Sequence, residues 1–458
     1  MLREMIENMA DRTESRTGGR PATNGVIPGD FALSVGKPTR EAPTGWNWTL
    51  LTDVARLESG HTPSRRHPEY WGGDVPWIGI KDATDNHGRT IYDTYQHTNQ
   101  LGIENSSARI LPTHTVCLSR TASVGYVIVM GKPMATSQDF VNWVCSDALD
   151  YRFLKYVLLA EKDSFLRFAS GTTHQTIYYP EVKAFHICLP PKAEQKVIAD
   201  ILTSLDDKIE LNRRMNATLE ATARTIFQSW FVDYDPVHAR ARGEQPLGMD
   251  EEIAALFPDS FEDSELGMIP AGWRVVPLDQ IADFRNGLAL QKFPPEGDEY
   301  LPVIKIRELR QGYSDENSDK ASPNIKETYI LHDGDVVFSW SGSLMIDVWC
   351  GGKGALNQHL FKVTSVQYPK WFYLYWSKYH LDSFIDIAAD KATTMGHIQR
   401  HHLTSALTVV PPDEVLSRLS RFVEPLVDQM IQLRIESRKL AELRDTLLPL
   451  LMNGELTL

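Results

Sequence analysis

The chain has 458 residues, too many for one ordinary hydrophobic core, and this length predicts two or three domains. Its 42% hydrophobic and 23% charged residues are typical of a globular protein, whereas a net charge of -13 argues against a chain that binds polyanions by bulk charge. No apolar run has the length of a membrane span, the N-terminus lacks an apolar signal core, and the four scattered cysteines have no C-x-x-C spacing. The sequence therefore predicts a cytoplasmic protein with reduced, mostly buried thiols.

Residues 1–43 form a polar N-terminal arm. Gly18, Gly19, Gly25 and Pro28 interrupt this segment, and such a composition is typical of a flexible chain. We assign no chemistry to the arm and predict that it is flexible.

Residues 44–191 form the first predicted domain. Gly45 and Trp46 precede a short strand and a helical turn, after which a glycine and a polar loop lead to an apolar strand at 75–80. An aromatic-rich helix, a second helix, a Thr-Thr turn and a last strand follow, and Pro190-Pro191 ends the domain. The alternation of short strands and helices predicts a mixed α/β domain.

Residues 192–230 form a long helix. Apolar residues recur at alternating steps of three and four, a spacing that predicts a heptad seam buried against another helix. Asn212 and Asn216 lie in the same stripe, where a buried asparagine fixes register at a cost in stability. The seam positions are Ile198, Leu202, Leu205, Ile209 and Leu219.

Residues 231–270 form an acidic linker. Eight acidic residues and no Lys or Arg lie between Gly243 and Trp273, so the rest of the chain is only mildly acidic. Glu262, Asp263 and Glu265 are interpreted as part of this solvated linker rather than as a metal nuclease centre.

The second half of the chain repeats the first. Residues 271–412 form a second domain with the same order of motifs, residues 413–450 a second long helix, and residues 451–458 a tail. The matching seams predict one antiparallel pair of helices, each on the order of 50 Å long. Two unrelated amphipathic helices, each packed on its own domain, remain the alternative. The seam positions of the second helix are Leu419, Val423, Leu426, Met430, Leu433 and Leu440.

The predicted fold class is therefore α+β. Two similar mixed α/β domains are separated by two long antiparallel helices that form a coiled-coil spacer, and the whole chain is a pseudo-twofold internal repeat.

The sequence resembles the specificity subunit of type I restriction-modification systems. The resemblance is carried by the two Pro-Pro plus long-helix units, by the central run TARTIFQSWFVDYDPVHARARGEQPLGMDEEIAALFPDSFEDSELGMIPAGW and by the terminal LAELRDTLLPLLMNGEL. It covers nearly everything after Ala42 and leaves the arm unexplained. The resemblance implies two target recognition domains, each reading one half of a split DNA sequence, and a non-catalytic chain that holds two methylation subunits and restriction subunits. It places S-adenosylmethionine, ATP and Mg²⁺ on those partners.

Three segments of the chain partly match known catalytic or ligand-binding motifs. An adenine methyltransferase needs Asp or Asn before Pro-Pro-Tyr, but Leu189 and Val410 precede the two Pro-Pro pairs here, and Lys192 and Asp413 follow them. The glycine-rich run 351–354 lacks the spacing and the Ser or Thr of a phosphate-binding loop. His397, His401 and His402 could bind a metal on one helix face, but a strand or turn is expected there, so a hydrogen-bonding or DNA-facing cluster is favoured.

Base recognition requires planar or bidentate donors on loops, and the sequence offers several candidates. Any single candidate could instead be an ordinary solvated side chain at the surface. The rival function for the whole chain is a non-DNA interaction scaffold whose two aromatic-rich domains bind sugar or protein, and retention on heparin or duplex DNA at low salt separates the two. The DNA-binding candidates are Arg65, Arg66, Lys81, Arg120, Thr172, Thr173, His174 and Gln175 in the first domain, and Lys292, Lys305, Arg307, Arg310, Thr393, Thr394, His397, Gln399 and Arg400 in the second.

Overall fold

The computed structural model describes residues 25–171, 175–390 and 396–456, which fall into two compact units. The first unit contains the chain up to Asp206 together with the residues from Glu442 onwards, and the second contains Asp207–Ala441. Each unit combines several β-sheets with helices, which confirms the predicted mixed α/β architecture. No helix among the described residues is long and apolar enough to cross a membrane.

The first unit is built from short strands and short helices. Its strands are β1 (Ile27–Pro28), β2 (Leu33–Val35), β3 (Asn47–Leu50), β4 (Ala55–Ser59), β5 (Trp71–Ile78), β6 (Thr90–Ile91), β7 (Gln96–Thr98), β8 (Val116–Ser119), β9 (Val127–Met130), β10 (Ala135–Thr136), β11 (Phe140–Cys145) and β12 (Phe185–Leu189). Its helices are α1 (Leu51–Val54), α2 (Ile80–Asp85), α3 (Gln100–Glu104), α4 (Tyr151–Ala160), α5 (Ser164–Phe168) and α6 (Tyr179–Lys183), with a 3₁₀ turn at Pro68–Tyr70.

Three sheets organise this unit, with strand orders β1-β2-β12-β3, β10-β5-β7 and β4-β11-β8-β9-β6. Strands β8 and β9 are completely buried, and their Val and Leu side chains belong to the same core cluster as Phe153 and Val157 of α4. Helix α6, between the Thr-Thr turn and β12, is an element that the sequence analysis did not predict.

The prediction of a flexible arm is wrong for the part of it that the structure describes. Strand β2 pairs with β12, and Leu33 and Val35 are 0% and 2% exposed. The segment is held by Glu161, a fully buried carboxylate that accepts hydrogen bonds from the backbone N–H groups of Asp30, Phe31 and Leu33 at 2.7 to 3.0 Å. Local composition predicted flexibility, but these long-range bonds and buried apolar side chains determine the structure.

His87 is a neutral buried acceptor in the first unit. Its Nδ1 accepts a hydrogen bond of 3.1 Å from the backbone N–H of Val127. Burial, together with the positive charges of Lys162, Arg444 and Lys155, lowers the pKa of His87 to about 4. The folded state therefore requires an unprotonated ring.

We expect the pKa of His87 to make the first unit less stable in mild acid. Because the folded pKa lies below the unfolded value of about 6.5, the unfolded chain binds the extra proton. The stabilisation is complete above about pH 6.5 and is lost as the pH falls towards 4, by up to about 3 kcal/mol. The measurement is urea unfolding of the wild type and of His87→Asn, whose amide oxygen can accept the same bond, between pH 4 and 7. Equal losses of stability in both proteins would refute the assignment to His87.

The second unit repeats this plan after a segment of its own. The long helix α7 (Lys192–Phe227) ends in a π-helical turn at Gln228–Val232. The segment that follows it contains α8 (Asp235–Ala241), α9 (Glu251–Ala254), β13 (Phe261–Ser264) and β14 (Gly267–Pro270). The repeat contains β15 (Arg274–Pro277), α10 (Leu278–Ile281), β16 (Asp283–Asn286), β17 (Leu301–Ile304), α11 (Ile306–Gln311), β18 (Lys320–Ala321), β19 (Ile330–Leu331), β20 (Val336–Ser339), β21 (Met345–Val348), β22 (Gly354–Leu356) and β23 (Leu360–Thr364). It closes with α12 (Lys370–Tyr379), α13 (Leu381–Asp390), α14 (Arg400–Ser405), β24 (Leu407–Val410) and the long helix α15 (Asp413–Met452), with 3₁₀ turns at Leu290–Lys292 and Glu327–Tyr329.

The sheets of the second unit have the orders β13-β14, β15-β24, β16-β23-β20-β21 and β18-β17-β22-β19. The predicted acidic linker contributes to the core here, because Phe231, Val237, Phe257 and Ile269 are buried in one hydrophobic cluster with Trp371. This segment therefore combines charged residues at the surface with apolar residues in the core.

The two long helices run antiparallel. In the first unit, the start of α7 packs with the end of α15, since Ile198 and Leu202 share a core cluster with Leu448. In the second unit, Ala223 near the end of α7 shares a cluster with Leu419 near the start of α15. Among the predicted seam residues, those that are buried are Ile198, Leu202, Leu419, Val423, Met430 and Leu433, and those that are partly buried are Leu205, Ile209, Leu219, Leu426 and Leu440.

Asn212 marks the polar layer of the seam. It is fully buried, and its Nδ2 donates a hydrogen bond of 2.8 Å to Glu436 on α15. A buried amide with one matching acceptor fixes the register of the helices in this layer.

All four cysteines are free, and three of them are buried.

Candidate functional site

A parallel pair of strands lies at the same place in the repeat of both units, and the first unit has a further parallel pair, β6 with β9. Strand β5 pairs with β10 through Trp77 and Ala135, and β17 pairs with β22 through Val303 and Ala355. Because the registers correspond, the residues that follow β10 and β22 occupy equivalent positions. Two of these are Gln138 and Gln358, each three positions after the paired alanine, Ala135 or Ala355.

A glycine lies against this point in both units. A Cβ atom on Gly60 would lie 1.9 Å from the carbonyl oxygen of Ser137, and one on Gly287 would lie 2.2 Å from that of Asn357. Neither distance leaves room for a side chain, so the close backbone approach requires glycine. The loop that follows each glycine thus begins at a fixed position.

A buried carboxylate fixes the turn after the first strand of each pair. Asp82 accepts hydrogen bonds from the backbone N–H groups of Gly79 at 2.8 Å and Tyr95 at 2.9 Å, and Glu308 accepts one from Lys305 at 3.0 Å. These caps start α2 and α11 in the same way. Lys81 and Arg307, each one residue before its carboxylate, are exposed at matching positions.

In the first unit, Arg65 lies against two tryptophans. Its guanidinium carbon is 3.7 Å from the ring centre of Trp71 and 5.0 Å from that of Trp77. Its Nη2 donates a hydrogen bond of 2.7 Å to Gln96. The stacking holds the planar donor group in one orientation at the surface.

Two other basic candidates of the first unit, Lys81 and Arg66, are exposed. The Lys81 ammonium lies 4.2 Å from the ring centre of Tyr95, which is 60% exposed, and Arg66 is exposed on the same loop as Arg65. The Tyr95 ring contributes a cation–π contact that holds the Lys81 ammonium at the surface.

Arg120 contacts Ile177 and Tyr179, a few residues after Thr172 and Thr173 in the sequence. It is partly buried, its guanidinium carbon is 4.9 Å from the ring centre of Tyr179, and its carbonyl accepts a hydrogen bond of 2.8 Å from Ile177. Gln175 is exposed. Three further candidates lie outside the described residues: Thr172, Thr173 and His174.

In the second unit, the parallel strands border an open cleft of about 640 Å³. Its polar lining combines cations with amides, one imidazole and one carboxylate, a set that can donate and accept hydrogen bonds on one surface. Those residues are Gln291, Lys305, Arg307, Asp319, Lys320, Asn357, Gln358 and His359.

Two basic candidates in this cleft are paired with carboxylates. Lys305 forms an ion pair with Asp319. Arg307 donates to Asp315 at 2.9 Å through Nη2 and to Glu308 at 2.8 Å through Nε. A phosphate approaching these residues would compete with carboxylates already in place. The sequence analysis treated them as available donors, so this pairing changes that interpretation.

The remaining candidates of the second unit are exposed. Lys292 ends a 3₁₀ turn, Arg310 lies on α11 and Gln399 immediately precedes α14. Arg400 donates a hydrogen bond of 3.1 Å to the carbonyl of Phe284. Thr393 and Thr394 lie outside the described residues.

The histidine cluster is partly helical, contrary to the expectation of a strand or turn. His401 and His402 lie in α14 with ring centres 4.0 Å apart, and His402 Nδ1 accepts a hydrogen bond of 3.0 Å from the backbone of Gln399. His397 precedes the helix, and its ring centre lies 6.3 Å from that of Trp340. No group of His, Cys, Asp or Glu within the described ranges is arranged to hold a metal ion.

Sequence reasoning missed the aromatic half of these sites. Trp71 and Tyr95 in the first unit, and Trp340 in the second, lie beside the candidate cations or histidines. Trp71 could have been identified because it lies six positions after Arg65, whereas Tyr95 and Trp340 are distant in sequence from the side chains beside them, Lys81 and His397.

Comparison with known proteins gives consistent matches. The family model described as the type I restriction modification DNA specificity domain matches residues 43–221 and 270–443. The type I restriction enzyme MjaIX specificity subunit of Methanocaldococcus jannaschii is 27% identical over 434 residues, which is 90% of this chain and 94% of that protein. The HindI specificity subunit of Haemophilus influenzae is 26% identical over 337 residues, 63% of this chain and 72% of that protein. The solved S subunit of a type I restriction-modification system from M. genitalium aligns with a TM-score of 0.53 at 17% identity, over 90% of this chain and 98% of that one, and supports the fold.

Proposed function

This chain belongs to the type I restriction modification DNA specificity family, and we propose that it reads a two-part double-stranded DNA target, one half with each unit. The observation that carries the proposal is the repeated surface. Each unit presents a basic side chain at the same position, Lys81 or Arg307, after the same capped turn. Both side chains lie in the first turn of a short helix, α2 or α11, where Lys81 can donate to a base edge directly and Arg307 can do so by exchanging its carboxylate partners Glu308 and Asp315. Different donors at one position of a repeated scaffold can read different bases.

We further propose that the chain scaffolds two methylation subunits and the restriction subunits, and that it is not itself an enzyme. The proposal is supported by the relatives, which are named specificity subunits, and by the lack of catalytic motifs in the sequence. S-adenosylmethionine, ATP and Mg²⁺ would then be bound by the partners. Methyl transfer to DNA by the purified chain alone would refute this part.

The test of the DNA-reading proposal is an exchange of one unit. Replacing residues 25–189 with the matching segment of a relative should change one half of the methylated sequence and leave the other half unchanged. The graft begins at residue 25 because β2 pairs with β12 and must come from the same protein. Methylation sites are mapped by sequencing genomic DNA from cells that carry the partner subunits.

The matched control is the reciprocal exchange of residues 271–410, which should change the other half. If either exchange altered both halves together, independent reading by the two units would be wrong.

Arg65 is expected to contribute to reading of the first half-site. Arg65→Ala removes a planar, stacked donor and should weaken binding to the cognate duplex by roughly 10-fold to 100-fold, which corresponds to about 1–3 kcal/mol. Arg65→Lys keeps the charge but loses the fork of donors, so it should lose discrimination between bases more than affinity for DNA. Fluorescence anisotropy with cognate and single-base variant duplexes measures both. Equal affinities of the wild type and Arg65→Ala for the cognate duplex would contradict this role.

A further inference from the structure

The two units differ at one sheet edge. In the first unit, β12 has a strand on both sides, with β3 on one edge and β2 on the other. Backbone bonds join β12 to the β2 segment, from Cys188 N–H to the carbonyl of Ala32 at 2.8 Å and from Gly36 N–H to that of Ala184 at 2.8 Å. The equivalent strand of the second unit, β24, pairs with β15 on one edge, and no strand of the described residues covers the other.

The registers identify the groups on the uncovered edge. His186 pairs with Leu50 at the end of β3, and Leu407 pairs with Pro277 at the end of β15, so Leu407 corresponds to His186. By the same offset, Ser405 corresponds to Ala184 and Val409 to Cys188. In a strand, alternate backbone groups point to the same side, so Leu407 and Val409 of β24 present theirs where β2 would lie, and Ser405 precedes them at the end of α14.

The preceding segment explains why this edge is uncovered. In the first unit, the chain before the Gly-Trp motif runs along β12. In the second unit, the corresponding segment pairs with itself as the hairpin β13-β14, in which Ser264 pairs with Gly267. The hairpin leaves β24 with an edge of the kind to which another strand can add.

A groove of about 460 Å³ lies along this edge. Ser405, Leu407 and Val409 all line it, together with Leu266 and Met268 of the hairpin. Leu266 and Met268 are 48% and 57% exposed, so they form an apolar wall of the groove that a partner could cover. The carbonyl of Leu407 already accepts a hydrogen bond of 2.9 Å from His380 Nε2, so a new ladder would begin at the N–H groups of Leu407 and Val409.

We propose that the uncovered edge of β24 binds an extended segment of a methylation subunit, which adds a strand to the β15-β24 sheet. The inference rests on the proposed function for the existence of such a partner. Backbone bonds along the edge would supply affinity, and the apolar groove would select apolar side chains at alternate positions.

The charged residues around the groove indicate which charges should flank the apolar part of the bound segment. Acidic residues stand next to lining residues, with Glu265 beside Leu266 and Asp382 and Asp386 flanking Ser383 and Ile387. The described residues that line the groove include no Lys, Arg, Asp or Glu, so these neighbouring carboxylates supply the charge at its rim. An extended apolar segment with nearby Lys or Arg therefore fits this surface better than an acidic one.

A second copy of this chain is the less suitable occupant. Its own matching segment, β2, is buried, and the carboxylate of Glu161 holds the residues around it. Exchange between copies would first have to break those bonds.

The experiment uses the full chain with its purified methylation subunit. Amide hydrogen exchange measures Leu407 and Val409, which should exchange at least 10-fold more slowly in the complex if their N–H groups enter a ladder. Binding affinity is measured for Met268→Asp, which puts a charge in the apolar wall, and for Leu247→Asp, an equally drastic change at a fully exposed residue outside the groove. We expect at least a 10-fold weaker complex for Met268→Asp and no change for Leu247→Asp. Both sites are exposed, and thermal unfolding checks that the variants fold.

The outcomes separate the two proposals. A complex that forms with unchanged exchange at Leu407 and Val409, or with equal affinity for both variants, overturns the strand-addition inference and leaves the proposed function standing. Protection of these amides by self-association of the chain without a partner overturns it in favour of a second copy. A wild-type chain that binds no methylation subunit overturns the scaffold proposal, and this inference with it.

Discussion

Replacing Glu161 with alanine is expected to lower the free energy of unfolding of the first unit by about 3–5 kcal/mol. The carboxylate is fully buried and accepts hydrogen bonds from three backbone N–H groups of the segment before β3 and from the hydroxyl of Ser164. Alanine leaves these donors without an acceptor, and each buried orphan donor costs about 1–3 kcal/mol. If the segment detaches, water can accept hydrogen bonds from these donors, and this limits the loss of unfolding free energy. Urea unfolding measures the change.

Two controls define the cause. Glu161→Gln keeps one acceptor oxygen but places an NH₂ group among donors, so it should cost less than alanine and more than Ser164→Ala. Limited proteolysis should show faster cleavage within residues 27–36 in Glu161→Ala than in wild type, because β2 loses its anchor. A loss below about 1 kcal/mol with unchanged cleavage would show that the apolar side chains of β2 hold the segment without the carboxylate.

The repeat and the long helices could be predicted because their signals are periodic. Seam residues such as Ile198 and Leu419 recur at fixed steps, and the Gly-Trp and Pro-Pro motifs mark the same boundaries in each half. The ordered arm could not be predicted, because its anchor lies about 130 positions away in sequence. Nothing local to residues 30–33 indicates a buried carboxylate.

The polar residues of the candidate site could be predicted from the sequence, but the residues that they contact could not. Exposed basic loop residues such as Arg66 and Lys292 follow from composition and turns. The pairing of Lys305 with Asp319 and the stacking of Arg65 on Trp71 depend on which loops meet across strands. Sequence spacing carries no such information when the partners are distant or lie on irregular loops.

Lengthening both long helices by four residues is expected to change the unread gap in the DNA target. Both helices cross from the residues of one unit into those of the other, α7 after Asp206 and α15 after Ala441. Four residues at each point add about 6 Å and about 40° of right-handed rotation to each helix. Duplex DNA advances about 3.4 Å per base pair, so the proposed function implies a target whose gap is longer by one or two base pairs. Sequencing the methylation pattern of the double-insertion variant measures the gap.

The insertion points matter because the helices also belong to the cores. An insertion after Ala221 would shift Ala223 and Phe227, both buried in the second unit, and would confuse a change of gap with a loss of stability. An insertion in α7 alone is the matched control: it lengthens one helix and not the other, so the Asp206–Arg444 pair of the first unit and the Asn212–Glu436 pair of the second cannot both keep their register, and it should reduce stability without giving a clean longer gap. An active double-insertion variant that methylates the original sequence with its original gap would show that the helices do not set the distance between half-sites.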